Sequence, residues 1–367
     1  MKRPSNWVLP TPEQLARIVA AANSAPSADN CQPWSFRYRD GTLLVMHDAA
    51  RAEHFLNHDL SLSRIGLGCL LQALEIGAGL EGLHADVGLS LDAGAEKPWA
   101  TVRFTGHTDE PHPLAEAMFR RSTDRRSFQG GRLPKRIREN IDREVQLEPD
   151  LGVYVLDEIA PEFIEYQLRC DTYILKHSAA MADVTKFLRF TRLEMEETRD
   201  GIPWPSIGLP IPEMRALALT RLPAVQLAVE RLQLHRIVER YFRAALESAG
   251  ALICMTVRSA DKSALVAAGR VGFLIWLHLT EIGWGVQPIS FSCLPIYQQA
   301  NGRSAPVGHE QWDEISAIGK DIMARHFGYP ATELPIWIFR TGLVTRQAPA
   351  AKAMRRHLED ILAFESD

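Results

Sequence analysis

The chain has 367 residues, of which 46% are hydrophobic and 23% charged, and its formal net charge is -4. These proportions are ordinary for a globular protein with a sizeable core, and the length suits two domains or one large intertwined unit. The small negative charge gives no reason to expect a nucleic acid or an anionic membrane as a partner. The five cysteines are scattered and form no Cys-x-x-Cys pair, which favours the reducing cytoplasm over a disulfide framework.

Two apolar features bear on the location of the protein. The N-terminus, MKRPSNWVLPTPEQ, lacks the apolar core of a signal peptide. The longest apolar stretch, residues 271–286, is interrupted by His278 and Glu281 and predicts a buried helix rather than a membrane span. We therefore expect a cytoplasmic protein with no membrane partner.

The first elements in chain order have clear signals. Residues 11–25 predict a helix with Thr11 as N-cap, Pro12 at the first helical position and Gln14 three residues after the cap. Residues 33–48 predict two strands joined by a turn at Asp40-Gly41. An apolar helix at 62–80 and a strand at 99–106 follow.

The remainder of the chain is richer in helices. The Pro- and Gly-rich stretch RDGIPWPSIGLPIP, residues 199–212, predicts a loop. The other predicted elements are a helix at 133–145, a strand at 151–158, one or two long helices over 161–197, helices to about residue 247, a strand at 251–257, helices at 268–285 and near 310–325, a strand at 334–342, and an amphipathic tail.

Two segments of the chain resemble each other. At one constant offset, residues 63–80 align with residues 269–286. Seven of the aligned pairs are identical, namely Arg64 with Arg270, Gly66 with Gly272, Leu71 with Leu277, Glu75 with Glu281, Ile76 with Ile282, Gly77 with Gly283 and Gly79 with Gly285. Similar strands precede and follow both helices. Chance similarity of two Gly-ended apolar helices is the alternative, but the shared order of strand, helix and strand favours a duplication.

Several common motifs are missing. The sequence has no GxGxxG after a strand, no GxxxxGK[ST], no HExxH and no GxSxG. His54 and His58 are four residues apart, but without a third ligand they indicate a solvated helix end rather than a metal site. We therefore predict no metal site and no catalytic protein side chain.

A basic segment lies at residues 120–126, with four arginines and two hydroxyl side chains in seven residues. Guanidinium groups bind phosphate through paired hydrogen bonds, and hydroxyl groups can satisfy its remaining oxygens. The alternative is a solvated basic turn before the next helix.

The stretch APSADNCQPWSF, residues 25–36, resembles the APSxxNxQPWxF loop of the nitroreductase-like FMN flavoprotein family. Arg121-x-Thr123-x-Arg125 followed by Phe128 resembles the RxSxRxF segment of that family. Here Thr replaces Ser and one extra residue precedes the Phe, so Arg125 and Arg126 both remain candidates for the second Arg. The helix at 269–285 with QPIS after it, and the C-terminal end, resemble the flavin-facing and C-terminal parts of the family.

The order of these motifs resembles the tandem, single-chain branch of the family, which includes Acg-like proteins. The resemblance implies an α+β fold with two fused nitroreductase-like halves, each a mixed, mainly antiparallel sheet packed by helices, that form an intramolecular pseudo-dimer. We place the halves at 1–118 and 119–367, with one complete FMN site and one decayed site. Residues at about 190–245 are expected to form a lid or, alternatively, a plain crossover between helices.

The resemblance also implies roles for individual residues. Arg121 and Thr123 would hold the phosphate and ribityl end, and Arg125 or Arg126 would reach the N1/O2 edge, where positive charge stabilises reduced flavin. The other residues implied to bind the cofactor are Pro26, Ser27 and Asn30 at the ring, Pro288, Ser290 and Phe291 near N5, and Arg355 with Arg356 at the phosphate. Gln32 and Trp34 are expected to anchor the loop to the core.

The implied function is an FMN-dependent oxidoreductase that passes hydride by a ping-pong mechanism from NAD(P)H, through flavin N5, to a small electrophile such as a nitroaromatic or a quinone. The alternative is an FMN-sequestering protein whose lid covers the flavin and which has little reductase activity. A biosynthetic flavoenzyme with its own substrate is a third reading. We expect a small-molecule partner and either a monomer that acts as a pseudo-dimer or a weak homodimer.

Overall fold

Two open sheets and the helices that cover them make up the protein. The computed structural model describes residues 7–91, 97–106, 110–233, 235–259, 261–303, 308–344 and 351–365. Its helices are α1 Pro12–Ala22, α2 Ser61–Leu80, α3 Ala115–Arg120, α4 Lys135–Gln146, α5 Pro161–Lys176, α6 Ser178–Thr185, α7 Arg192–Thr198, α8 Ile211–Leu219, α9 Pro223–Arg231, α10 His235–Glu247, α11 Lys262–Glu281, α12 Leu294–Ala300, α13 His309–Phe327 and α14 Leu358–Ile361.

The strands are β1 Trp34–Arg39, β2 Thr42–His47, β3 Leu83–Leu89, β4 Ala100–Gly106, β5 Leu151–Leu156, β6 Leu188–Arg189, β7 Ile202–Pro203, β8 Ala251–Val257, β9 Trp284–Pro288, β10 Leu334–Leu343 and β11 Leu362–Phe364. Five strands were not predicted from the sequence: β3, β6, β7, β9 and β11. The last four have five residues or fewer, too few for a clear alternation of apolar and polar residues, whereas the alternation in β3 was missed.

The two large sheets repeat one topology. Their orders are β11-β1-β2-β4-β3 and β5-β8-β10-β9. When β11 is left out, each sheet has four strands, and across the sheet they lie in the order first, second, fourth and third of the chain. The long apolar helix, α2 or α11, connects the second strand to the third. All pairs among these eight strands are antiparallel. The duplication inferred from the sequence is therefore confirmed, and the chain is an α+β pseudo-dimer.

Local signals at the start of the chain are also confirmed. Thr11 and Gln14 form a capping box at the start of α1, which satisfies two backbone donors that the helix itself cannot pair. Asp40 and Gly41, with φ values of 50° and 75°, form the two-residue turn between β1 and β2. Such a turn needs two left-handed residues in succession, which Asp-Gly provides.

The helices α2 and α11 pack against each other at the centre of the molecule and join the halves. Gly68 of α2 and Gly269 of α11 meet at the crossing, where an added Cβ on either would lie under 3 Å from the Cα atom of the other. Arg270 of α11 pairs with Glu75 of α2 at 2.7 Å. The helix α11 is long and apolar enough to cross a membrane, but most of it is buried inside the protein, as the sequence predicted.

The second sheet contains an insertion that the first lacks. Two residues join β1 to β2, whereas residues 157–250, with α5 to α10, lie between β5 and β8. The stretch expected to be a plain loop contains β7, which pairs in parallel with β6, and a 3-10 turn at Trp204–Ser206. The one or two helices expected over 161–197 are three, α5, α6 and α7.

The C-terminal tail crosses back to the first sheet. Its last strand, β11, pairs in parallel with β1, with Phe36 opposite Leu362. The expectation of a simple amphipathic tail was therefore incomplete. Because of this pairing, Arg355 and Arg356 lie beside the loop between α1 and β1.

Candidate cofactor-binding site

The loop between α1 and β1 has a strained backbone. Asp29, Asn30 and Gln32 have φ values of 47°, 56° and 48°, in the left-handed region that residues other than glycine rarely adopt. Strain of this kind persists only where the surroundings fix the conformation, and it is concentrated at ligand sites.

Gln32 and Trp34 fix this loop. The buried Gln32 donates from Nε2 to the carbonyl oxygen of Arg199 and accepts at Oε1 from the backbone N–H of Arg356, both at 2.8 Å. The Trp34 indole donates to Oδ1 of Asn23 at 3.0 Å. The prediction that Gln32 and Trp34 are anchors is confirmed.

Asn30 connects the loop to two other segments. Its Nδ2 donates to the carbonyl oxygens of Gly201 at 3.1 Å and Met354 at 3.0 Å. Its Oδ1 is buried and has no partner among the described residues. Asn30 therefore retains one unused acceptor beside the insertion and the C-terminal tail.

Pro26 and Ser27 lie against α2. The carbonyl oxygen of Pro26 and Cβ of Ser27 are 3.9 Å from the place where Gly66 would carry a Cβ. The Ser27 hydroxyl accepts from the backbone N–H of Gln32 at 2.9 Å. The backbone of the loop thus passes close to a helix that offers no side chain at this point.

Two arginines converge on one carbonyl group just after α1. Arg121 donates from Nη2 to the oxygen of Ser24 at 3.2 Å, and Arg355 donates to the same oxygen at 3.0 Å. The Arg121 guanidinium also lies over the ring of Trp276, 4.5 Å from its centroid. One arginine comes from the Arg segment, the other from the tail, and the carbonyl group from the first half.

This corner, formed by Ser24, Arg121 and Arg355, has an excess of positive charge. Among the described residues, neither arginine forms an ion pair with a carboxylate, and burial lowers the pKa of Arg121 to about 10. Burial, together with the charge of Arg121, lowers the pKa of Arg355 to about 9. Buried cations without a counter-ion are unfavourable, so an anion bound here would be strongly stabilising.

Buried hydrogen-bonding atoms without a partner support the binding of an anion at this corner. The Oγ atom of Ser24 and the Nε atom of Arg121 are buried without a partner among the described residues. Two guanidinium groups and a hydroxyl group suit a phosphate. The corner therefore fits the phosphate end of FMN.

The neighbouring arginines of the Arg segment differ in their partners. Arg126 is paired with Asp124 at 2.7 Å. Arg125 donates to the carbonyl oxygen of Ser206 at 3.3 Å. Burial lowers the pKa of Arg125, although the negative charge of Asp29 in the loop opposes this. Of the two registers left open by the sequence, Arg125 is the arginine that interacts with the loop between α1 and β1.

The sequence also predicted Thr123 and Arg356 at the site, and the two residues have different surroundings. Thr123 is half-buried beside Asp124, whose backbone N–H donates to Val286 of β9 at 2.9 Å. Arg356 donates to the carbonyl oxygens of Trp34 at 3.3 Å and Asp360 at 3.0 Å. Arg356 therefore fixes the tail, whereas Arg355 lies at the corner with Ser24 and Arg121.

The segment after β9 turns sharply. Pro288 is the last residue of β9, and Ser290 begins a 3-10 turn that the backbone N–H of Cys293 closes by bonding to Ser290 at 3.0 Å. The Phe291 side chain is buried, with ring centroids 5.6 Å from Tyr173 and 5.9 Å from Trp312. Any contact of Phe291 with a flavin would therefore involve its backbone.

Asp29 and His54 form a buried pair beside the loop. His54 Nε2 is 3.2 Å from Asp29 Oδ2, and its Nδ1 accepts from the backbone N–H of Leu56 at 3.0 Å. Burial raises the pKa of Asp29, but His54, Arg125 and Lys186 together lower it below its usual value. The expectation that His54 is solvated was wrong, because it caps a 3-10 turn in the interior. The described residues contain no cluster of metal ligands.

Residues 199–208 of the insertion contact both sides of this site. The backbone N–H of Gly201 donates to the carbonyl oxygen of Asn30, and the Gly201 carbonyl oxygen accepts from the Asn30 side chain. Asp200 pairs with Arg51 of the first half at 2.5 Å. Farther along, Ser206 accepts from Arg125. The segment, called the strap from here on, thus connects the loop of the first half with the Arg segment of the second.

Sequence reasoning missed Ser24, Trp276 and the strap contacts of Asp200. Ser24 directly precedes the Ala-Pro-Ser motif at residues 25–27. This position was the one signal in the sequence that could have identified Ser24 as a site residue. Trp276 lies in the helix at 269–285 and Asp200 in the loop at 199–212, but only the fold shows which residues these two contact.

No family model matches the sequence, and no curated protein matches it. Among solved structures, a presumed nitroreductase from Anabaena variabilis aligns with 91% of this chain and 88% of its own, at 10% identity and a TM-score of 0.50. The chain has the nitroreductase fold. The FMN and NADPH-dependent nitroreductase NfnB of Sphigopyxis sp. strain HMH aligns with 70% of this chain and 100% of its own, at 14% identity and a TM-score of 0.35. A nitroreductase with bound FMN from Desulfitobacterium hafniense aligns with 66% of this chain and 94% of its own, at 11% identity and a TM-score of 0.35.

Proposed function

We propose that the chain binds one FMN and is an NAD(P)H-dependent oxidoreductase for a small electrophile of the nitroaromatic or quinone type. The observation that carries this proposal is the buried pair Arg121 and Arg355, which shares the Ser24 carbonyl group and has no acidic partner among the described residues. FMN carries its phosphate at one end and its ring at the other. This corner and the neighbouring strained loop would hold these two ends in that order.

Each end of the cofactor has residues that would hold it. Arg121, Arg355 and Ser24 would bind the phosphate, and the backbone at Pro26 and Ser27 would lie along the ring. Arg125 would place positive charge at the edge of the ring, where it favours the reduced form. When bound, FMN supplies hydride transfer between NAD(P)H and the electrophile, so no protein side chain is needed as a nucleophile.

The test of this proposal is the visible spectrum of the purified protein, before and after anaerobic addition of NADPH and NADH. We expect a yellow protein with one FMN per chain that bleaches with at least one of the two nucleotides. Two FMN per chain would contradict the single complete site. A colourless protein that does not take up added FMN would contradict the proposal as a whole.

A second candidate function is supported by the strap. Gly201 contacts Asn30 and Ser206 contacts Arg125, so the strap connects the two groups of residues that are proposed at the ring. A strap closed over the ring would keep nicotinamide out, and the protein would then sequester FMN with little reductase activity.

Loosening the strap distinguishes the two functions. Asp200→Ala removes the ion pairs with Arg51 and Arg189. If the closed strap limits access to the flavin, we expect this variant to speed the reduction of FMN by NAD(P)H about tenfold. A loss of about 1.4 kcal/mol in the free energy of closing the strap shifts the equilibrium between closed and open strap by that factor. Stopped-flow absorbance measures the rate. Arg192→Ala, which removes an exposed pair with Glu196, is the control. Equal rates in all three proteins would show that the strap is a plain crossover.

A further inference from the structure

We propose that Arg199 of the strap is a positioning residue for Arg355 of the tail. Its Nε atom donates to the backbone carbonyl oxygen of Arg355 at 2.8 Å. Through this contact, the closed strap strengthens the binding of the FMN phosphate, and the bound phosphate in turn stabilises the closed strap. This role rests on the proposed function, in which Arg355 binds that phosphate.

Side chains from other segments hold the backbone of the tail around Arg355. Residues 351–357 have irregular backbone, so their N–H and carbonyl groups need partners outside a helix or a sheet. The side chains that bond to the backbone of residues 354–356 are those of Asn23, Asn30, Gln32 and Arg199. Asn23, Asn30 and Gln32 belong to the first half of the chain, whereas Arg199 comes from the insertion. The backbone that carries Arg355 is therefore held partly by the strap.

Arg199 itself is fixed at the start of the strap. Its backbone N–H donates to the carbonyl oxygen of Met195 in α7 at 3.0 Å, and its own carbonyl oxygen accepts from Gln32 at 2.8 Å. Its φ value is 49°, in the left-handed region that residues other than glycine adopt where the surroundings fix the conformation. The Arg199 side chain thus extends to the tail from a backbone that both α7 and the loop of the first half hold in place.

The contact with Arg199 bears directly on the phosphate corner. The guanidinium of Arg355 reaches the Ser24 carbonyl oxygen at 3.0 Å, while the carbonyl group of the same residue accepts from Arg199. A long side chain loses less conformational entropy on binding a ligand when its own backbone is already fixed. Removal of the Arg199 side chain frees the backbone of Arg355 and makes its guanidinium less well placed for a phosphate.

The coupling acts in both directions, as linkage between two sites requires. Asp200 follows Arg199 and pairs with Arg51 and Arg189. These ion pairs hold the strap closed and so keep Arg199 on the tail. A phosphate that holds Arg355 in place keeps the carbonyl acceptor of Arg199 in place, and so stabilises the closed strap.

Fluorescence titration of the apoproteins with FMN and with riboflavin tests this role. Arg199→Ala should raise the dissociation constant of FMN about tenfold, since the bond that it removes has a charged donor. The dissociation constant of riboflavin, which has no phosphate, should stay unchanged. In the background of Arg355→Ala, the further change Arg199→Ala should alter FMN affinity by less than about twofold, because the two residues act as one unit. The matched control is Arg192→Ala, in the exposed part of the same insertion, which should bind FMN like the wild-type protein.

The double-variant cycle separates positioning from a general loss of structure. Equal FMN affinity of the wild-type protein and Arg199→Ala would overturn the role of Arg199. A matching loss of riboflavin affinity would overturn it too, as would the same loss of FMN affinity with and without Arg355. A wild-type protein that binds neither flavin would contradict the proposed function and this role together, whereas the other outcomes leave FMN binding intact.

Hydrogen exchange of the wild-type protein measures the reverse effect and needs no variant to fold. The backbone N–H groups of Gly201 and Ile202 in the strap donate to the carbonyl oxygens of Asn30 at 3.3 Å and Phe187 at 2.8 Å. Saturating FMN should slow their exchange about tenfold more than saturating riboflavin does, because the coupling factor is the same in both directions. Equal slowing by the two flavins would overturn the coupling between the phosphate and the strap.

Discussion

Arg121→Ala should purify with less than about a tenth of the FMN that the wild-type protein carries, since a charge-assisted hydrogen bond to phosphate contributes about 1.5–3 kcal/mol. Two such bonds from one guanidinium would contribute about 3–6 kcal/mol, and each 1.4 kcal/mol changes the dissociation constant tenfold. Fluorescence titration of the apoprotein with FMN measures the dissociation constant. We expect it to rise by at least about 100-fold in the variant.

A comparison of two ligands shows whether the phosphate is the group that Arg121 binds. Riboflavin has the same ring and ribityl chain as FMN but no phosphate. The wild-type protein should bind riboflavin much more weakly than FMN, whereas Arg121→Ala should bind both with similar affinity. Arg120→Ala is the matched control, because Arg120 is the preceding residue and is exposed.

The stability of the apoprotein separates a binding role from a structural one. Without an anion, Arg121 is a buried charge, and among the described residues a carbonyl group and an aromatic ring compensate it. Its removal should therefore leave the midpoint of thermal unfolding of the apoprotein unchanged or raise it. A clear drop in that midpoint, with FMN affinity unchanged, would mean that Arg121 fixes Ser24 at the end of α1 and does not bind the cofactor.

The sequence predicted those parts of the fold that local patterns encode. The capping box at Thr11, the Asp40-Gly41 turn and the apolar helices each depend on residues that are close together in the chain. The duplication was also visible, because three glycines of α2 recur at the same spacing in and just after α11. Close packing of these helices accounts for Gly68 and Gly269, which have no partner in the repeat and were not identified from the sequence.

Features that depend on distant contacts could not be predicted. The pairing of β11 with β1 joins residues more than 300 positions apart, and no local signal indicates it. The same holds for the strap, whose Pro- and Gly-rich sequence indicates irregular backbone but not its partners. The sequence left Arg125 and Arg126 open for a similar reason, since the contact that distinguishes Arg125 is its hydrogen bond to Ser206 of the strap.

Gly68→Ala should strongly destabilise the protein, because Gly68 lies where the helices of the two halves cross. A Cβ at this position would overlap the carbonyl oxygen of Val266 and lie 2.8 Å from the Cα atom of Gly269. Both are backbone atoms, so a change of rotamer cannot relieve the overlap and the helices must separate. We expect a loss of about 2–4 kcal/mol in the free energy of unfolding, at or above the upper end of the usual range for overpacking, and a fall of roughly 3–5 °C in the midpoint of thermal unfolding.

Gly66→Ala on the same helix is the matched control. The nearest atoms to a Cβ at Gly66 are 3.9 Å away, in ordinary contact. Since alanine favours the helix over glycine by about 1 kcal/mol, this variant should unfold at the wild-type temperature or above it. Differential scanning calorimetry of both variants gives the comparison, and equal midpoints for the two would contradict the close crossing.

The double variant Gly68→Ala with Gly269→Ala tests whether the two glycines serve one contact. Once the first Cβ has separated the helices, the second meets less overlap. The combined loss should therefore be clearly smaller than the sum of the single losses, as expected for residues in direct contact. Additive losses would mean that each glycine is needed for a separate reason. Because the corner at Ser24, Arg121 and Arg355 combines groups from both halves, the destabilised variants should also lose FMN in proportion to the separation of the helices.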